Sequence, residues 1–174
     1  MSSSRLLFAL WPDDATRARI AAVAGQFPER AGKRVPERNL HLTLLFLGQV
    51  EDPVCEGLIQ DAGGISAPVF TLELTHSGWW PRARVAWLAP DEVPRALPPL
   101  VASLREPAVN RGLEVDQRPY SPHLTVARKV GRRPPAVDFP PIRWEIKEFC
   151  LMESTAGRAG SEYRILRRWP LTVS

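Results

Sequence analysis

The sequence predicts an α+β protein of two similar lobes, related by a pseudo-two-fold duplication within one domain, residues 1–174. The chain has 174 residues, which is enough for one domain with a sizeable core. Its apolar segments alternate between strand-like and helix-like periodicity. The order strand, helix, strand occurs twice, and each time the last strand carries the tripeptide His-Leu-Thr, at residues 41–43 and 123–125.

The first half of the chain contains a strand, a helix and the first tripeptide. "RLLFALWP" is a short apolar strand, and the helix in "DDATRARIAAVAGQF" has Asp13 or Asp14 as its N-cap. Apolar residues recur at helical spacing on one face of that helix: Ile20, Val23, Ala24 and Phe27. A basic loop leads to the strand "LHLTLLFLG", which we expect to end at Gly48, and "PVCEGLIQDAG" predicts a second helix.

The second half repeats this order. "VFTLELTHSG" alternates as one strand would, and "RVAWLAP" predicts another strand. The segment "PPLVASLREPAVNRG" carries an apolar stripe at helical spacing, and we expect Pro107 to bend or break this helix. The strand "HLTVAR" then bears the second tripeptide, and "IRWEIKEFCLM" and "EYRILRRWPL" complete the strand pattern.

Composition narrows the class of protein. With 44% hydrophobic and 24% charged residues, the chain is typical of soluble globular proteins. The apolar run "LLFALW" is too short for a signal peptide or a membrane span, so we expect a cytoplasmic protein with no membrane partner. Cys55 and Cys150 form no CxxC pair and are predicted to be buried free thiols. The net charge of +4 suits an anionic partner such as a phosphate ester or RNA.

The repeated tripeptide predicts a catalytic site. Side chains alternate along a strand, so His41 and Thr43 share one face, as do His123 and Thr125. A two-fold relation between the lobes would make the two pairs face each other across a groove. Because histidine titrates near neutral pH, one ring can act as general base while the other acts as general acid. Threonine hydroxyls can donate hydrogen bonds to an anion between them, an arrangement suited to in-line displacement at phosphorus.

These residues resemble the paired HxT motifs of the two-histidine phosphoesterases, and specifically of the RNA 2′,3′-cyclic phosphodiesterase branch, historically called 2′-5′ RNA ligases. The segments "RLLFALWP", "LTHSGWWPRARVAWLAP" and "LMESTAGRAGSEYRILRRWPL" are similar to that branch, so the resemblance covers essentially the whole chain. It implies a bilobal α+β fold with antiparallel sheets flanking a central cleft and helices on the outside. It also implies hydrolysis without a metal or an organic cofactor.

The resemblance further implies a role for each motif residue. His41 would donate a proton to the leaving oxygen and His123 would accept one from water, so that opening at the 3′ oxygen leaves a 2′-phosphomonoester. Thr43, Thr125 and Arg128 would bind the phosphate oxygens. Arg128 lies at an odd offset from His123, so it reaches the cleft only if the strand ends or bulges after Thr125.

Aromatic and basic residues near the motifs are candidates for RNA contacts. Phe46 and Tyr120 are positioned to stack on a terminal base or ribose, with core packing as the alternative for each. Trp79 and Trp80 are assigned first to packing, with the cleft rim as the alternative. Two basic segments are suited to attract an RNA backbone, with solvated surface charge as the alternative. Their residues are Arg30, Lys33, Arg34, Arg38, Lys129, Arg132 and Arg133.

Four other functions stay open at this point. A metallohydrolase would use His41, His76 and His123, although neither HExxH spacing nor a carboxylate accompanies them. A cyclic phosphodiesterase for a small nucleotide and reversible 2′-5′ RNA end joining would use the same catalytic groups. A non-catalytic RNA-binding module would be expected to have lost one histidine. The predicted partner is RNA with 2′,3′-cyclic phosphate ends, such as tRNA fragments, and the predicted state is a monomer.

Overall fold

Helices and antiparallel strands alternate along the chain, as the sequence predicts. The computed structural model describes residues 2–158 and 160–173. In these ranges the helices are α1 Asp14–Ala24, α2 Asp52–Gly63 and α3 Leu97–Asn110. The strands are β1 Ser3–Leu10, β2 Lys33–Arg34, β3 Leu42–Glu51, β4 Phe70–Leu74, β5 His76–Trp80, β6 Val85–Ala89, β7 Leu124–Arg128, β8 Ile142–Ile146, β9 Glu148–Gly157 and β10 Gly160–Pro170. The predicted α+β class is confirmed.

One eight-stranded sheet runs through the molecule in the order β10-β9-β1-β3-β7-β6-β5, with β2 paired to β7 beside this path. Its pairings are antiparallel. The two tripeptide strands, β3 and β7, meet through a single pair, Leu42 with Leu124. The sheet therefore consists of a first half-sheet (β10, β9, β1, β3) and a second half-sheet (β7, β6, β5) that join at the two motifs.

The two faces of this sheet have different roles. Buried residues of all three helices pack with Leu42 and Leu124 in one large core. Asp13 caps α1 by accepting a 2.8 Å hydrogen bond from the backbone N–H of Thr16, and the predicted apolar face of α1 is buried. The opposite face of β1 carries Leu7 and Ala9, which belong to a smaller cluster. Helices thus cover one face and leave the other face open around the motifs.

Both tripeptide strands carry a β-bulge at the residue that follows the threonine. In β3, Leu45 pairs with Phe8 but Thr43 pairs with the next residue, Ala9, so Leu44 is an extra residue. In β7, the same kind of register shift lies opposite Ala86 and Trp87 and makes Val126 the extra residue. A bulge of one residue reverses the alternation of faces beyond it. The repeat seen in the sequence therefore extends to an irregularity of the backbone.

Gly48 does not end β3, contrary to the prediction. The strand continues to Glu51, and Gly48 lies within it with a φ of 75° at a second register shift. A positive φ is readily adopted by glycine, so this residue permits a bulge instead of a termination.

The segment "VFTLELTHSG" is not one strand. Residues 70–74 form β4, which pairs with β8 in a separate two-stranded sheet, whereas β5 belongs to the large sheet. The chain crosses between the sheets at Thr75. Because the alternation of Phe70, Leu72 and Leu74 extends to His76 without a turn residue between them, the pattern alone predicts a single strand.

Pro107 does not break α3, which continues to Asn110. The proline lies in the last turn, and the N–H of Arg111 still reaches its carbonyl at 3.1 Å. A proline removes its own N–H donor without preventing the turn that follows it.

Cys55 and Cys150 are both free thiols, as predicted, but only Cys150 is buried and Cys55 is half-buried. No helix in the described ranges is long and apolar enough to cross a membrane.

Candidate active site

The two His-Leu-Thr tripeptides form one cluster on the open face of the sheet. His41 and His123 immediately precede β3 and β7. Counting outward from the Leu42–Leu124 pair, His41 comes opposite Thr125, and Thr43 comes opposite His123. Directly opposite residues of antiparallel strands have Cβ atoms about 4.5–5.5 Å apart, and diagonal residues lie about 7–8 Å apart. We call these four side chains the His/Thr quartet, in which the two imidazoles occupy one diagonal and the two hydroxyls the other.

The same hydrogen bond orients both imidazoles. The Nδ1 atom of His41 lies 2.7 Å from the carbonyl oxygen of Asn39, and Nδ1 of His123 lies 3.0 Å from that of Ser121. A carbonyl oxygen can only accept, so Nδ1 carries the hydrogen and Nε2 is the acceptor in each neutral ring. Nε2 is therefore the atom of each ring that can exchange a proton with a bound group.

His41 lies in an aromatic pocket of the first half-sheet. Its ring is nearly parallel to that of Trp11, with centroids 6.3 Å apart, and the ring of Tyr163 lies 4.7 Å away. The side chain of Asn39 donates a 2.7 Å hydrogen bond to the carbonyl of Ser161, which ties the turn before His41 to β10. The position of His41 is thus fixed from three directions.

A buried arginine stands behind this pocket. The guanidinium of Arg17 lies 4.2 Å from the centroid of Trp11, on the helix α1 side. It donates hydrogen bonds of 2.6 and 2.8 Å to the carbonyls of Glu37 and Leu40, and thereby holds the backbone immediately before His41. Burial lowers the pKa of Arg17, and the charges of nearby carboxylates oppose that effect. Arg17 therefore places a positive charge near His41 and also fixes the backbone that precedes it.

His123 has a different aromatic neighbourhood. The ring of Trp80 meets the His123 imidazole edge to face at 4.4 Å, and a row of rings continues through Trp87 to His76. The ring of Trp87 lies against Gly78, where any side chain would collide with it. Trp80 thus belongs to the cleft and not only to packing, which was the first assignment from the sequence.

His76 lies at the far end of this row. Its Nδ1 is 3.0 Å from a carboxylate oxygen of Asp91. Among the described residues, no group of three or more His, Cys, Asp or Glu side chains is arranged to hold a metal ion. The three histidines considered for a metal site are thus not brought together.

Both catalytic candidates have lowered pKa values. Burial, with smaller contributions from the charges of Arg128 and Arg17, lowers the pKa of His41 to about 4, although the hydrogen bond to Asn39 acts in the opposite direction. Burial also lowers the pKa of His123, and the charge of Arg128 acts in the same direction. Both rings are consequently neutral at pH 7 in the free protein.

Arg128 lies on the same face as the quartet because of the bulge in β7. Val126 and Ala127 are both buried, and the alternation resumes with Arg128 on the side of Thr125. This is the geometric condition stated from the sequence. The effect of its charge on His41 and His123 is consistent with this position. Its contact with phosphate stays a prediction.

Phe46 occupies the corresponding place in β3. The bulge at Leu44 brings Phe46 to the face of Thr43, and its side chain is 47% exposed. The guanidinium of Arg5 lies 4.9 Å from the ring centroid. Phe46 therefore has the exposed surface that stacking on a base requires, and its role stays a prediction.

Tyr120 is packed and hydrogen-bonded. Its ring lies against the large core, and its hydroxyl donates a 2.9 Å hydrogen bond to the carbonyl of Thr43. Burial raises the pKa of this hydroxyl well above its ordinary value. The structure favours core packing over stacking for Tyr120, and it adds a link between the two motifs that the sequence did not predict.

Four residues around the histidines were not predicted as site residues: Trp11, Arg17, Tyr163 and, except as a rim alternative, Trp80. Two of them have a signal in the sequence. Trp11 continues the alternation of Leu7 and Ala9 beyond β1, and Arg17 is a charged residue on the apolar face of α1. The position of Tyr163 depends on the pairing of β10 with β9, which local periodicity does not reveal.

The chain is similar to known proteins in both sequence and fold. The model of the 2′-5′ RNA ligase superfamily matches residues 11–158. An RNA 2′,3′-cyclic phosphodiesterase of Escherichia coli strain K12 is 39% identical, over 97% of both chains. One of Thermus thermophilus is 30% identical, over 96% of this chain and 90% of its own. Among solved structures, a phosphoesterase gives a TM-score of 0.90 at 38% identity, covering 98% and 99% of the chains. E. coli LigT complexed with 3′-AMP gives 0.89 at 38% identity, with the same coverage.

Proposed function

The chain belongs to the 2′-5′ RNA ligase superfamily, and we propose that it hydrolyses RNA 2′,3′-cyclic phosphodiester ends to 2′-phosphomonoesters. The observation that carries this proposal is the His/Thr quartet, with two imidazoles on one diagonal and two hydroxyls on the other. The relatives named RNA 2′,3′-cyclic phosphodiesterase support the substrate. The same relatives support the classification as a hydrolase.

The proposed reaction uses one imidazole on each side of the phosphorus. Nε2 of His123 takes a proton from water while the water oxygen attacks the phosphorus atom. The bond from phosphorus to O3′ breaks, and that oxygen takes a proton from Nε2 of His41. The hydroxyls of Thr43 and Thr125 and the guanidinium of Arg128 donate hydrogen bonds to the non-bridging oxygens. The product keeps its phosphate on O2′.

His41 must be protonated to act as the acid, although it is neutral in the free protein at pH 7. A bound phosphodiester carries a negative charge, which offsets the charge of Arg128 and raises the pKa of a histidine beside it. His41 thus becomes protonated, and able to act as the acid, when the substrate binds. The lower pKa of His41 in the free protein would by itself favour the opposite assignment of acid and base, so the assignment needs a test of its own.

The oligomeric state, the compartment and the kind of RNA end are also part of what we propose. We take the active form to be a monomer in the cytoplasm that acts on RNA ends such as tRNA fragments, with Phe46 stacking on a terminal base or ribose. The proposed steps use protein groups and water alone, without a metal or an organic cofactor. Full activity in excess chelator is expected, and a strict requirement for an added metal would contradict the proposal.

The decisive experiment is incubation with an oligonucleotide that ends in a 2′,3′-cyclic phosphate, followed by identification of the product. A 2′-phosphate is expected. A 3′-phosphate would contradict the proposed leaving group, and the absence of turnover would contradict the proposed function. Parallel assays with adenosine 2′,3′-cyclic monophosphate, and with an added 5′-hydroxyl RNA as acceptor, separate the small-nucleotide and end-joining alternatives.

A further inference from the structure

The fold gathers several exposed basic residues into one surface beside the second motif. The turn between β5 and β6 supplies two of them, and the segment after β7 supplies the other three. We call this surface the basic rim; its residues are Arg82, Arg84, Lys129, Arg132 and Arg133, all of them exposed. The sequence predicted RNA contacts for the last three, but it did not join them to the turn.

Specific contacts hold the two segments of the basic rim together. The N–H of Val130 donates a 2.8 Å hydrogen bond to the carbonyl of Arg84, and the N–H of Arg84 donates one of 2.8 Å to the carbonyl of Trp80. The indole N–H of Trp79 donates to the carbonyl of Val130 at 2.8 Å, and the guanidinium of Arg133 lies 5.8 Å from the Trp79 ring centroid. The rim is therefore an ordered surface.

The backbone conformation of the rim is unusual. Arg84 and Lys129 have φ values of 57° and 56°, and they are the non-glycine residues with positive φ among those the structure describes. This conformation favours glycine or asparagine and costs a long side chain about 1 kcal/mol or more. Both positions nevertheless carry a cation. A basic side chain at a strained position is consistent with selection for function rather than for stability.

The charge of the rim is not balanced by neighbouring acids. Residues 77–90 and 117–137 contain no Asp or Glu. In the described part of the chain, the ion pairs found involve none of the five rim residues. The rim thus presents a field of one sign, which attracts anions.

The rim is continuous with the candidate active site. Trp80, which contacts His123, is the last residue before the turn that carries Arg82 and Arg84. Arg128, whose charge acts on both catalytic histidines, directly precedes Lys129. A phosphate bound at the quartet would therefore lie at one end of this basic surface.

We propose that the basic rim binds the sugar-phosphate backbone of single-stranded RNA on the 5′ side of the cyclic phosphate. This inference rests on the proposed function and makes the preferred substrate an RNA strand instead of a mononucleotide. Exposed cations without paired acids suit the repeated charge of a backbone, and contacts to phosphate carry no direct sequence information. Binding through the rim is expected to be independent of sequence.

The test compares two substrates that share the same reactive end. One is adenosine 2′,3′-cyclic monophosphate, and the other is a short single-stranded oligoadenylate that ends in a 2′,3′-cyclic phosphate. We expect a higher kcat/KM for the oligoadenylate at low salt, and a steeper decrease of that value with salt. Each phosphate contact with a single strand contributes about −0.7 to the slope of log affinity against log salt.

The informative variant is Arg132→Gln/Arg133→Gln, and its matched control is Arg95→Gln/Arg167→Gln. The control removes the same charge at exposed sites away from the rim, before α3 and on β10. We expect the rim variant to lower the oligonucleotide-to-mononucleotide ratio of kcat/KM roughly tenfold and to make the salt slope about 1.4 less steep. The control should leave both quantities close to those of the unmodified protein. Circular dichroism and melting temperature verify that both variants fold.

An unchanged ratio in the rim variant, or an equal decrease in the control, would overturn the inference. If neither substrate is turned over, the proposed function fails, and the rim is then tested by fluorescence anisotropy with a labelled oligoadenylate that ends in a 2′-phosphate. Weaker binding by the rim variant alone would uphold the rim in that case, and equal binding would reject it. Competition by polyglutamate as strong as by oligoadenylate of equal charge would assign the rim to acidic proteins and reject RNA.

Discussion

The two motifs have the same local geometry but different surroundings. Each imidazole is oriented by a carbonyl two residues earlier, and each strand bulges after its threonine. His41, however, lies between Trp11 and Tyr163, with the buried Arg17 behind Trp11, whereas His123 contacts Trp80. The charge of Arg17 acts on His41 and that of Arg128 acts on both histidines. A duplicated motif supplies two equal imidazoles, and their surroundings make them unequal, as the proposed acid and base must be.

The largest expected effect comes from removing either imidazole. His41→Ala and His123→Ala should each lower kcat by roughly 10²- to 10⁴-fold, because each loses one proton transfer. Circular dichroism should show that both variants fold. Normal turnover by either variant would be incompatible with the mechanism.

A modified substrate then tells the two histidines apart. A 3′-bridging sulfur makes a leaving group that needs no proton, so turnover of this substrate should be restored in His41→Ala and not in His123→Ala. The reverse pattern would exchange the acid and the base, which is the assignment favoured by the lower pKa of His41 alone.

Arg128 should affect both motifs together. Arg128→Gln removes charged hydrogen bonds to phosphate, worth about 1.5–3 kcal/mol, and should lower kcat/KM by roughly 10- to 100-fold. The loss of its charge should also raise the pKa of both histidines, and both limbs of the pH profile of kcat/KM should therefore shift to higher pH. Arg128→Lys, which keeps the charge, should leave the limbs in place. A shift of only one limb would show that Arg128 acts on a single motif.

The pH profile of the unmodified protein tests whether the surroundings of His41 and His123 lower the pKa of both imidazoles. Because the pKa of His41 is lowered to about 4 and that of His123 lies below its ordinary 6.5, kcat/KM should be bell-shaped with its maximum below pH 6.5. The profile of kcat should lie at higher pH, since bound phosphate raises both pKa values. A maximum of kcat/KM above pH 7 would contradict this account.

Arg17 should act on the first motif alone. Arg17→Lys keeps the charge near His41 but loses part of the hydrogen bonding to the carbonyls of Glu37 and Leu40, and should lower the free energy of unfolding by about 1–3 kcal/mol. Arg17→Gln also removes the charge, and should raise the lower pKa of the kcat/KM profile while the upper one stays. Chemical denaturation and pH profiles of both variants distinguish the two effects. Equal shifts of both limbs would contradict a local action.

The smallest effect is expected for the link between the motifs. Tyr120→Phe leaves the carbonyl of Thr43 without its 2.9 Å hydrogen bond, and should lower the free energy of unfolding by about 1 kcal/mol and kcat/KM a few-fold. Tyr163→Phe is the matched control, because it keeps the ring that contacts His41. Equal losses in the two variants would remove the case for a special link at Tyr120.

The sequence predicts the fold class, most elements and the pairing of the motifs, because these follow from periodicity and from a repeated tripeptide. It does not reveal that Thr75 divides one alternating run between two sheets, since the alternation continues across the boundary. The sequence shows that Arg128 can reach the cleft only if β7 ends or bulges after Thr125. It does not show whether the bulge forms, because a bulge depends on the partner strand. The surroundings of His41 depend on residues distant in the chain, such as Tyr163, which no local pattern connects to the motif.

The bulge at Val126 determines which face of the sheet each later side chain of β7 points to. Upstream of this residue, positions of odd number point to the open face; downstream, positions of even number do. The bulge therefore decides whether the guanidinium of Arg128 meets solvent and anions or the apolar core under the helices. If Val126 instead took a regular place in the ladder, Arg128 would turn towards the core, although the sequence from His123 to Arg128 would be unchanged.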